Sequence, residues 1–193
     1  ATVLVSMTLY GVFMTTASLA TNAALERTSG ISRLYATTPL SPIANTCARI
    51  GASMGIAVVI TGITYAVGAA TGAKMYASAW IQTPLLILAS SILASAQGLA
   101  MAFAVRSDGA FAASSAVTVF SGFLSGMFIP ISQMGSFFQA VAPYAPMYGI
   151  TSLVQLPLYG WETFKWSYVV NLVAWTLFFI LLAAWAQRRD TSR

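Results

Sequence analysis

Long uninterrupted apolar runs are the feature that most limits what this chain can fold into. A helix that crosses a bilayer needs about 20 largely apolar residues, and five stretches of the sequence reach that length with almost no internal charge. Only 7% of the residues are charged, against roughly 25% in soluble domains, whose surface faces water. The sequence therefore predicts an all-α, polytopic membrane protein with one transmembrane domain over residues 1–193. The predicted spans are Ala1–Ala24, Ile43–Thr71, Ser78–Val105, Ala110–Ile129 and Trp166–Ala186.

The charged residues lie in the breaks between these runs, and alternate breaks differ in charge. The positive-inside rule assigns the arginine-rich side to the cytoplasm, so we expect the first span to run inward and the C-terminus to be cytoplasmic. Because the cations border spans and form no patch with interleaved aromatics, the net charge of +5 does not indicate a nucleic-acid partner. One side collects Arg27, Arg33, Arg49, Arg106, Arg188, Arg189 and Arg193, and the other holds Lys74 and Lys165.

Catalytic and metal-binding chemistry is sparse in this sequence. Histidine is absent and Cys47 is the single cysteine, which removes the usual zinc sites and the Ser-His-Asp and Cys-His arrangements. A nucleotide-binding P-loop needs G-x-x-x-x-G-K-[ST]. The nearest string runs from Gly68 to Met75 and lacks both the spacing and the hydroxyl. We therefore predict no catalytic residue, no metal site and no cofactor bound by this chain.

Small polar residues recur at helical spacing in two of the predicted spans, and steps of three or four place them on one helix face. Two interpretations stay open, and both can hold at once. The stripes border a weakly polar path for amphiphilic compounds, with Phe120 and Phe123 as apolar contacts, or they allow close helix packing. The first stripe is Thr8, Gly11, Thr15, Ser18 and Asn22; the second is Ser114, Thr118, Ser121 and Ser125.

Other residues within the spans predict packing rather than transport. Polar groups in lipid seek partners, so Gln82, Gln97 and Asn171 are expected to form interhelical hydrogen bonds. Trp175 falls in the middle of the last span and is predicted to be a packing residue. Three pairs of glycines match the close-approach pattern of membrane helices: Gly51 and Gly55, Gly68 and Gly72, and Gly122 and Gly126.

The segment Pro130–Lys165 is too long and too apolar for a plain loop. Met134–Val141 and Ile150–Leu156 are predicted to be short helices, and Pro143 and Pro146 are expected to break the chain between them. A re-entrant or interfacial helical hairpin is one interpretation, and a surface loop lying on the lipid headgroups is the other.

The segment from Glu26 to Pro42, ERTSGISRLYATTPLSP, reads as a short polar helix stopped by two prolines or as an ordinary cytoplasmic loop. The sequence of this segment resembles that of the type-2 ATP-binding-cassette (ABC) permeases, the membrane halves of bacterial drug exporters of the daunorubicin-resistance kind. A second similarity is FSGFLSGMFIP over 120–130, followed by FFQA and PYAP. The order of these motifs along the chain resembles the family more closely than any one motif does.

The resemblance implies a permease subunit of an exporter in a bacterial cell membrane. It implies a partner ABC ATPase that carries ATP and Mg²⁺, and a second copy of this chain or a paralogous permease. Residues 25–42 would form a cytoplasmic coupling helix that contacts the ATPase. Because such permeases have six spans, the resemblance also implies a cytoplasmic helix and one span before Ala1. The coupling residues would be Glu26, Arg27, Gly30, Arg33 and Leu34.

Three other functions remain as alternatives. An ion-coupled secondary transporter usually places Asp, Glu or His inside the membrane, whereas the four carboxylates here lie at predicted boundaries or in loops. An intramembrane enzyme would need a catalytic constellation that the sequence does not contain. The third alternative is a non-transporting membrane assembly subunit, which nothing in the sequence excludes.

Overall fold

The computed structural model describes residues 1–29, 42–105 and 107–190. All regular structure in these ranges is helical, which confirms the predicted fold class. The long helices are α1 (Thr2–Thr21), α3 (Pro42–Ala70), α4 (Ala77–Ala104), α5 (Ser107–Leu124) and α8 (Trp166–Asp190). The described ranges also contain three shorter α-helices, α2 (Ala23–Thr28), α6 (Ser136–Val141) and α7 (Tyr148–Tyr159), and single 3-10 turns at Ile131–Gln133, Ala142–Tyr144 and Trp161–Thr163.

Four of these helices are long and apolar enough to cross a membrane, namely Thr2–Glu26, Gly51–Ala70, Ala77–Ala104 and Trp166–Arg189. The fourth predicted span is shorter than expected, since α5 ends at Leu124 and not at Ile129. Gly126 has a φ of 77°, and the N–H groups of Gly126 and Met127 donate to the carbonyls of Phe123 and Gly122, both at 3.3 Å. This Schellman arrangement terminates the helix.

Helix α4 lies at the centre of the bundle, where it packs against α1, α3, α5, α7 and α8. Its closest neighbour is α1, because Gly98 has no side chain: a Cβ there would overlap the carbonyl oxygen of Ala17 and the Cβ of Ala20. Thr21 Oγ1 donates to the Ala17 carbonyl at 2.7 Å and to the Gly98 carbonyl at 3.3 Å. Small residues at this crossing let the two backbones approach closely.

The paired glycines follow the predicted close-approach pattern only in part. Gly72 and Gly126 each have a φ of 77° and end their helices, and a Cβ on Gly126 would overlap the side chain of Ile131 just beyond the helix end. Nothing lies within 4 Å of a Cβ built on Gly51 or Gly55. Gly68 meets the Leu4 side chain of α1, and Gly122 meets Phe128 and Tyr10 of α1. Gly68 and Gly122 thus fit the predicted pattern, whereas Gly72 and Gly126 end their helices, because a glycine pair marks a helix end as readily as a contact.

The α1–α4 crossing predicts opposite outcomes for two Gly→Ala substitutions. Gly98→Ala forces a methyl group against the α1 backbone and should destabilise the protein by about 1–3 kcal/mol. Gly62→Ala, where nothing lies within 4 Å, should be neutral or stabilising by up to about 1 kcal/mol through helix propensity. The free energy of unfolding of each variant, measured by SDS titration in mixed micelles, provides the test. Equal losses for both variants would contradict the close approach.

Two ends of the bundle can be distinguished by their charges. At the lysine end, α3 leads through Lys74 into α4, and α8 begins after Lys165. Trp161 Nε1 donates to Gln82 Oε1 there at 3.2 Å. At the arginine end, α1 leads into α2, and α8 ends near Arg188. Exposed apolar side chains cover the outer faces of α3 and α8, as lipid contact requires: Val58, Val59, Ile63, Val170, Leu177 and Leu181.

Residues 136–159 form a helical hairpin whose turn lies beside α8. Asn171 Nδ2 donates to the carbonyls of Pro143 (2.9 Å) and Ala145 (3.2 Å), and its Oδ1 accepts the Gly149 N–H at 3.1 Å. At 1.5 Å per residue, Asn171 lies about 8 Å along α8 from Trp166. The hairpin turn therefore lies alongside α8 rather than beyond its end, and the re-entrant position of the hairpin stays a prediction.

Trp175 and Gln97 also donate hydrogen bonds to neighbouring elements. Trp175 Nε1 donates to the Tyr144 carbonyl at 3.0 Å, which gives this mid-helix residue a hydrogen bond as well as packing. Gln97 Nε2 donates to Thr118 Oγ1 at 2.8 Å and to the Ser114 carbonyl at 3.2 Å. Together with the Gln82 contact, these bonds confirm the expectation of interhelical hydrogen bonds for Gln82, Gln97 and Asn171.

Asn171→Leu should loosen the hairpin. The substitution removes three hydrogen bonds, and at about 0.6 kcal/mol each in membrane proteins the free energy of unfolding should fall by roughly 2 kcal/mol. Asn22→Leu is the matched control, because the Asn22 side chain forms no hydrogen bond with the described residues. SDS titration of both variants makes the comparison, and an equal effect of the two substitutions would contradict the role assigned to Asn171.

Candidate functional site

The first polar stripe lies on a partly open face of α1. Thr8 is buried, at 2% exposure, while Gly11, Thr15, Ser18 and Asn22 are all half-buried. Nothing lies within 4 Å of a Cβ built on Gly11. Four of the five residues therefore border open space in the single chain, and we name the surface they form with Met7 and Met14 the α1 face.

The α1 face is weakly polar and carries no charged side chain. Thr15 Oγ1 donates to the Gly11 carbonyl at 2.8 Å, which satisfies its hydrogen within the helix and leaves its oxygen as an acceptor. Ser18 and Asn22 form no side-chain hydrogen bond with the described residues. Their hydroxyl and amide groups are thus available to a compound that contacts this face.

The second stripe is turned inward. Ser114, Thr118, Ser121 and Ser125 are all buried, at 3%, 0%, 4% and 3% exposure. Thr118 donates to the Ser114 carbonyl at 2.9 Å and accepts the bond from Gln97. The packing interpretation fits this stripe better than a path.

Phe120 and Phe123 lie on the opposite, outer side of α5. Their exposures are 70% and 40%, and the Phe123 ring meets the Phe138 ring edge-on at 6.5 Å between centroids. The structure therefore does not bring these two rings onto one surface with the hydroxyls of their own helix.

The coupling residues lie only partly within the described ranges. Glu26 and Arg27 belong to α2, whereas Gly30, Arg33 and Leu34 lie outside the described residues. The Glu26 carboxylate forms an ion pair with the Arg49 guanidinium of α3. This ion pair links α2 to α3. The role of Arg49 was not predicted, because no local sequence pattern links residues so far apart.

A cavity of about 360 Å³ lies at the lysine end between α1, the chain after α5, and α7. Cross-helix hydrogen bonds join its walls. Gln155 Nε2 donates to Ser6 Oγ at 3.2 Å, and the Thr2 and Tyr159 hydroxyls lie 3.2 Å apart. Thr151 Oγ1 donates to Ser125 Oγ at 3.3 Å. Of the predicted path residues only Ser125 lines the cavity.

Among the described residues, no group of three or more His, Cys, Asp or Glu side chains could hold a metal ion. The side chains that line the cavity offer hydrogen bonding and apolar contact.

Comparison with known proteins assigns the family. The family model described as ABC-2 family transporter protein matches residues 1–185. This chain belongs to the ABC-2 transporter family. Curated proteins and solved structures give no match. As an ABC-2 protein, the chain is a multi-pass membrane component of an ABC transporter, a permease subunit whose family implies an ATPase partner.

Thiol labelling can compare the solvent accessibility of the two polar stripes of this ABC-2 permease. In a Cys47→Ser background, Ser18→Cys should react with N-ethylmaleimide at least tenfold faster than Thr118→Cys, because Thr118 is fully buried and the reaction needs a solvated thiolate. Leu181→Cys, on the exposed apolar side of α8, is the lipid-facing control. Equal rates at residues 18 and 181 would make the α1 face a lipid contact and not a path.

Proposed function

We propose that this ABC-2 permease exports a hydrophobic or amphiphilic small molecule from a bacterial cell, using ATP and Mg²⁺ bound by a partner ATPase. The α1 face is the observation that supports this proposal most directly. It presents uncharged polar groups, Thr15, Ser18 and Asn22, in half-open positions along a membrane-length helix. Such a surface suits compounds that carry few hydrogen-bonding groups and no charge.

The proposed orientation places the arginine end in the cytoplasm and the lysine end outside. The arginines gather at one end and Lys74 and Lys165 at the other, the distribution that the positive-inside rule describes. Aromatic side chains mark both boundaries: Tyr76 and Trp166 are exposed at the lysine end, and Trp185 at the arginine end. The C-terminus would then be cytoplasmic and the inner membrane the location.

The segment between α2 and α3 would transmit the ATP-driven movement of the ATPase to the permease. Residues 25–42 would contact the ATPase, with Glu26, Arg27, Gly30, Arg33 and Leu34 at the contact. The Glu26–Arg49 ion pair supports this role indirectly, because it ties the start of the segment to α3. A displacement of the segment would therefore move α1 and α3 together, a rigid-body change of the kind that couples domains in switching proteins.

A second permease, either another copy of this chain or a paralogue, would complete the path. In the single chain, the α1 face is half-open and Phe120 and Phe123 are exposed on α5. An opposing protomer would cover both surfaces and convert an open face into an enclosed one.

The alternatives have less support in the described residues. An ion-coupled transporter would need a carboxylate in the membrane interior, but Glu26 is paired at the arginine end and Glu162 is exposed at the lysine end. A non-transporting assembly subunit is distinguished by experiment, since it would not stimulate an ATPase in response to a transported compound.

Charge reversal tests the coupling role. With the permease and its ATPase co-purified in lipid nanodiscs, Arg33→Glu should abolish compound-stimulated ATP hydrolysis and reduce export at least tenfold, because it reverses a contact charge. Lys74→Glu, at the opposite end, is the matched control and should leave both activities near the original values. Normal stimulation and export by the Arg33→Glu protein would reject the coupling assignment.

A further inference from the structure

We propose that the cavity at the lysine end is a binding site for a neutral amphiphile, a molecule with an apolar body and one or two groups such as a hydroxyl or an ether. The inference rests on the proposed export function and narrows its substrate class. The chemistry of the cavity supports this inference, because its two walls differ in polarity.

One wall of the cavity, formed by α1 and the chain after α5, is largely apolar, with Thr2, Ser6 and Ser125 as its polar members. Val3 and Met7 extend from α1, and Met127, Phe128 and Ile131 come from the chain that follows α5. The Phe128 ring is held in place by an edge-on contact with Tyr10, at 5.1 Å between centroids. Methionine side chains adapt their shape to irregular apolar ligands, so this wall suits a hydrocarbon body without selecting one shape.

The opposite wall is polar and belongs to α7. Ser152, Gln155 and Tyr159 line the cavity, and their spacing of three and four residues places them on one helix face. Gln155 uses its Nε2 to bind Ser6, which leaves the Oε1 as an acceptor. The Thr2 and Tyr159 hydroxyls share one hydrogen bond, so one of their two O–H groups remains as a donor. The wall thus offers both an acceptor and a donor.

The size and charge of the cavity define the ligand further. A volume of about 360 Å³ lies at the lower end of the range of roughly 300–1,000 Å³ for ligand pockets. None of the lining residues is Asp, Glu, Lys or Arg. A charged ligand would meet no opposite charge among these residues, whereas a neutral ligand needs none.

The α1 face leads into this cavity. Val3 and Met7 line the cavity and are also exposed, at 72% and 44%. Met7 is followed on the same side of α1 by Gly11, Met14 and Ser18, at steps of three or four residues that keep them aligned. A compound that moves along the α1 face therefore reaches the cavity at Met7.

Photolabelling without ATP tests the site in the purified permease–ATPase complex. The probe is a medium-chain alcohol that carries a diazirine, and the comparison probes have the same chain with a carboxylate or a quaternary ammonium group. The alcohol should label peptides containing Met7, Met127 or Gln155 saturably, at least tenfold more than either charged probe. Non-saturable labelling, or equal labelling by the charged probes, would overturn the proposal.

Two pairs of variants locate the labelling. Ser152→Phe fills the cavity and should lower saturable labelling at least tenfold, whereas Ser167→Phe, at an exposed position, should not. Gln155→Leu removes the acceptor and should raise the half-saturating probe concentration about threefold to tenfold, whereas Gln139→Leu, outside the cavity, should not. Unchanged labelling in both Ser152→Phe and Gln155→Leu would overturn the site.

Failure of the site and failure of the export function are distinguishable. Export of a neutral compound by a protein whose cavity peptides are not labelled would overturn the cavity site alone. Saturable labelling of the cavity, without compound-stimulated ATP hydrolysis, would support the site and overturn the export function.

Discussion

The hydrogen bonds of Asn171 are the interaction on which the lysine end of the molecule depends. Backbone that leaves the helical conformation at membrane depth must find its partners within the protein. Asn171 supplies three such partners to residues 143–149, and Trp175 supplies a fourth. The turn held in this way sets the start of α7, and α7 carries the polar wall of the cavity. One amide in α8 thus positions side chains that it does not itself touch.

The two polar stripes show why helical spacing alone does not indicate a path. A serine or threonine in a membrane helix satisfies its hydroxyl on the carbonyl three or four residues earlier, as Thr15 and Thr118 both do. The stripe is therefore compatible with lipid, protein or ligand. Gln97 determines the orientation of α5, because its buried Nε2 donates to Thr118 Oγ1 and to the Ser114 carbonyl. With that face turned inward, Phe120 necessarily faces outward.

Sequence reasoning predicted those features that depend on local composition. Four of the five predicted spans, the hairpin and the hydrogen bonds donated or accepted by Gln82, Gln97 and Asn171 follow from hydropathy, proline placement and the low tolerance of lipid for unpaired polar groups. The end of α5 at Leu124 was not predicted, because a glycine such as Gly126 reads equally as a contact or as a terminator. The Glu26–Arg49 pair and the cavity were missed, since Ser6 and Gln155 become neighbours only through the packing of α7 against α1.

Helix α1 is the element that connects the two ends of the molecule. At the arginine end it continues into α2, where Glu26 is bound to Arg49. At the lysine end Thr2 and Ser6 are hydrogen-bonded to Tyr159 and Gln155 of α7. A packed helix moves as a rigid body, and the close approach at Gly98 resists sliding of α1 past α4. A displacement that begins at α2 would therefore move α1 and α4 together and, through the Ser6–Gln155 and Thr2–Tyr159 hydrogen bonds, reach α7 and the lining of the cavity.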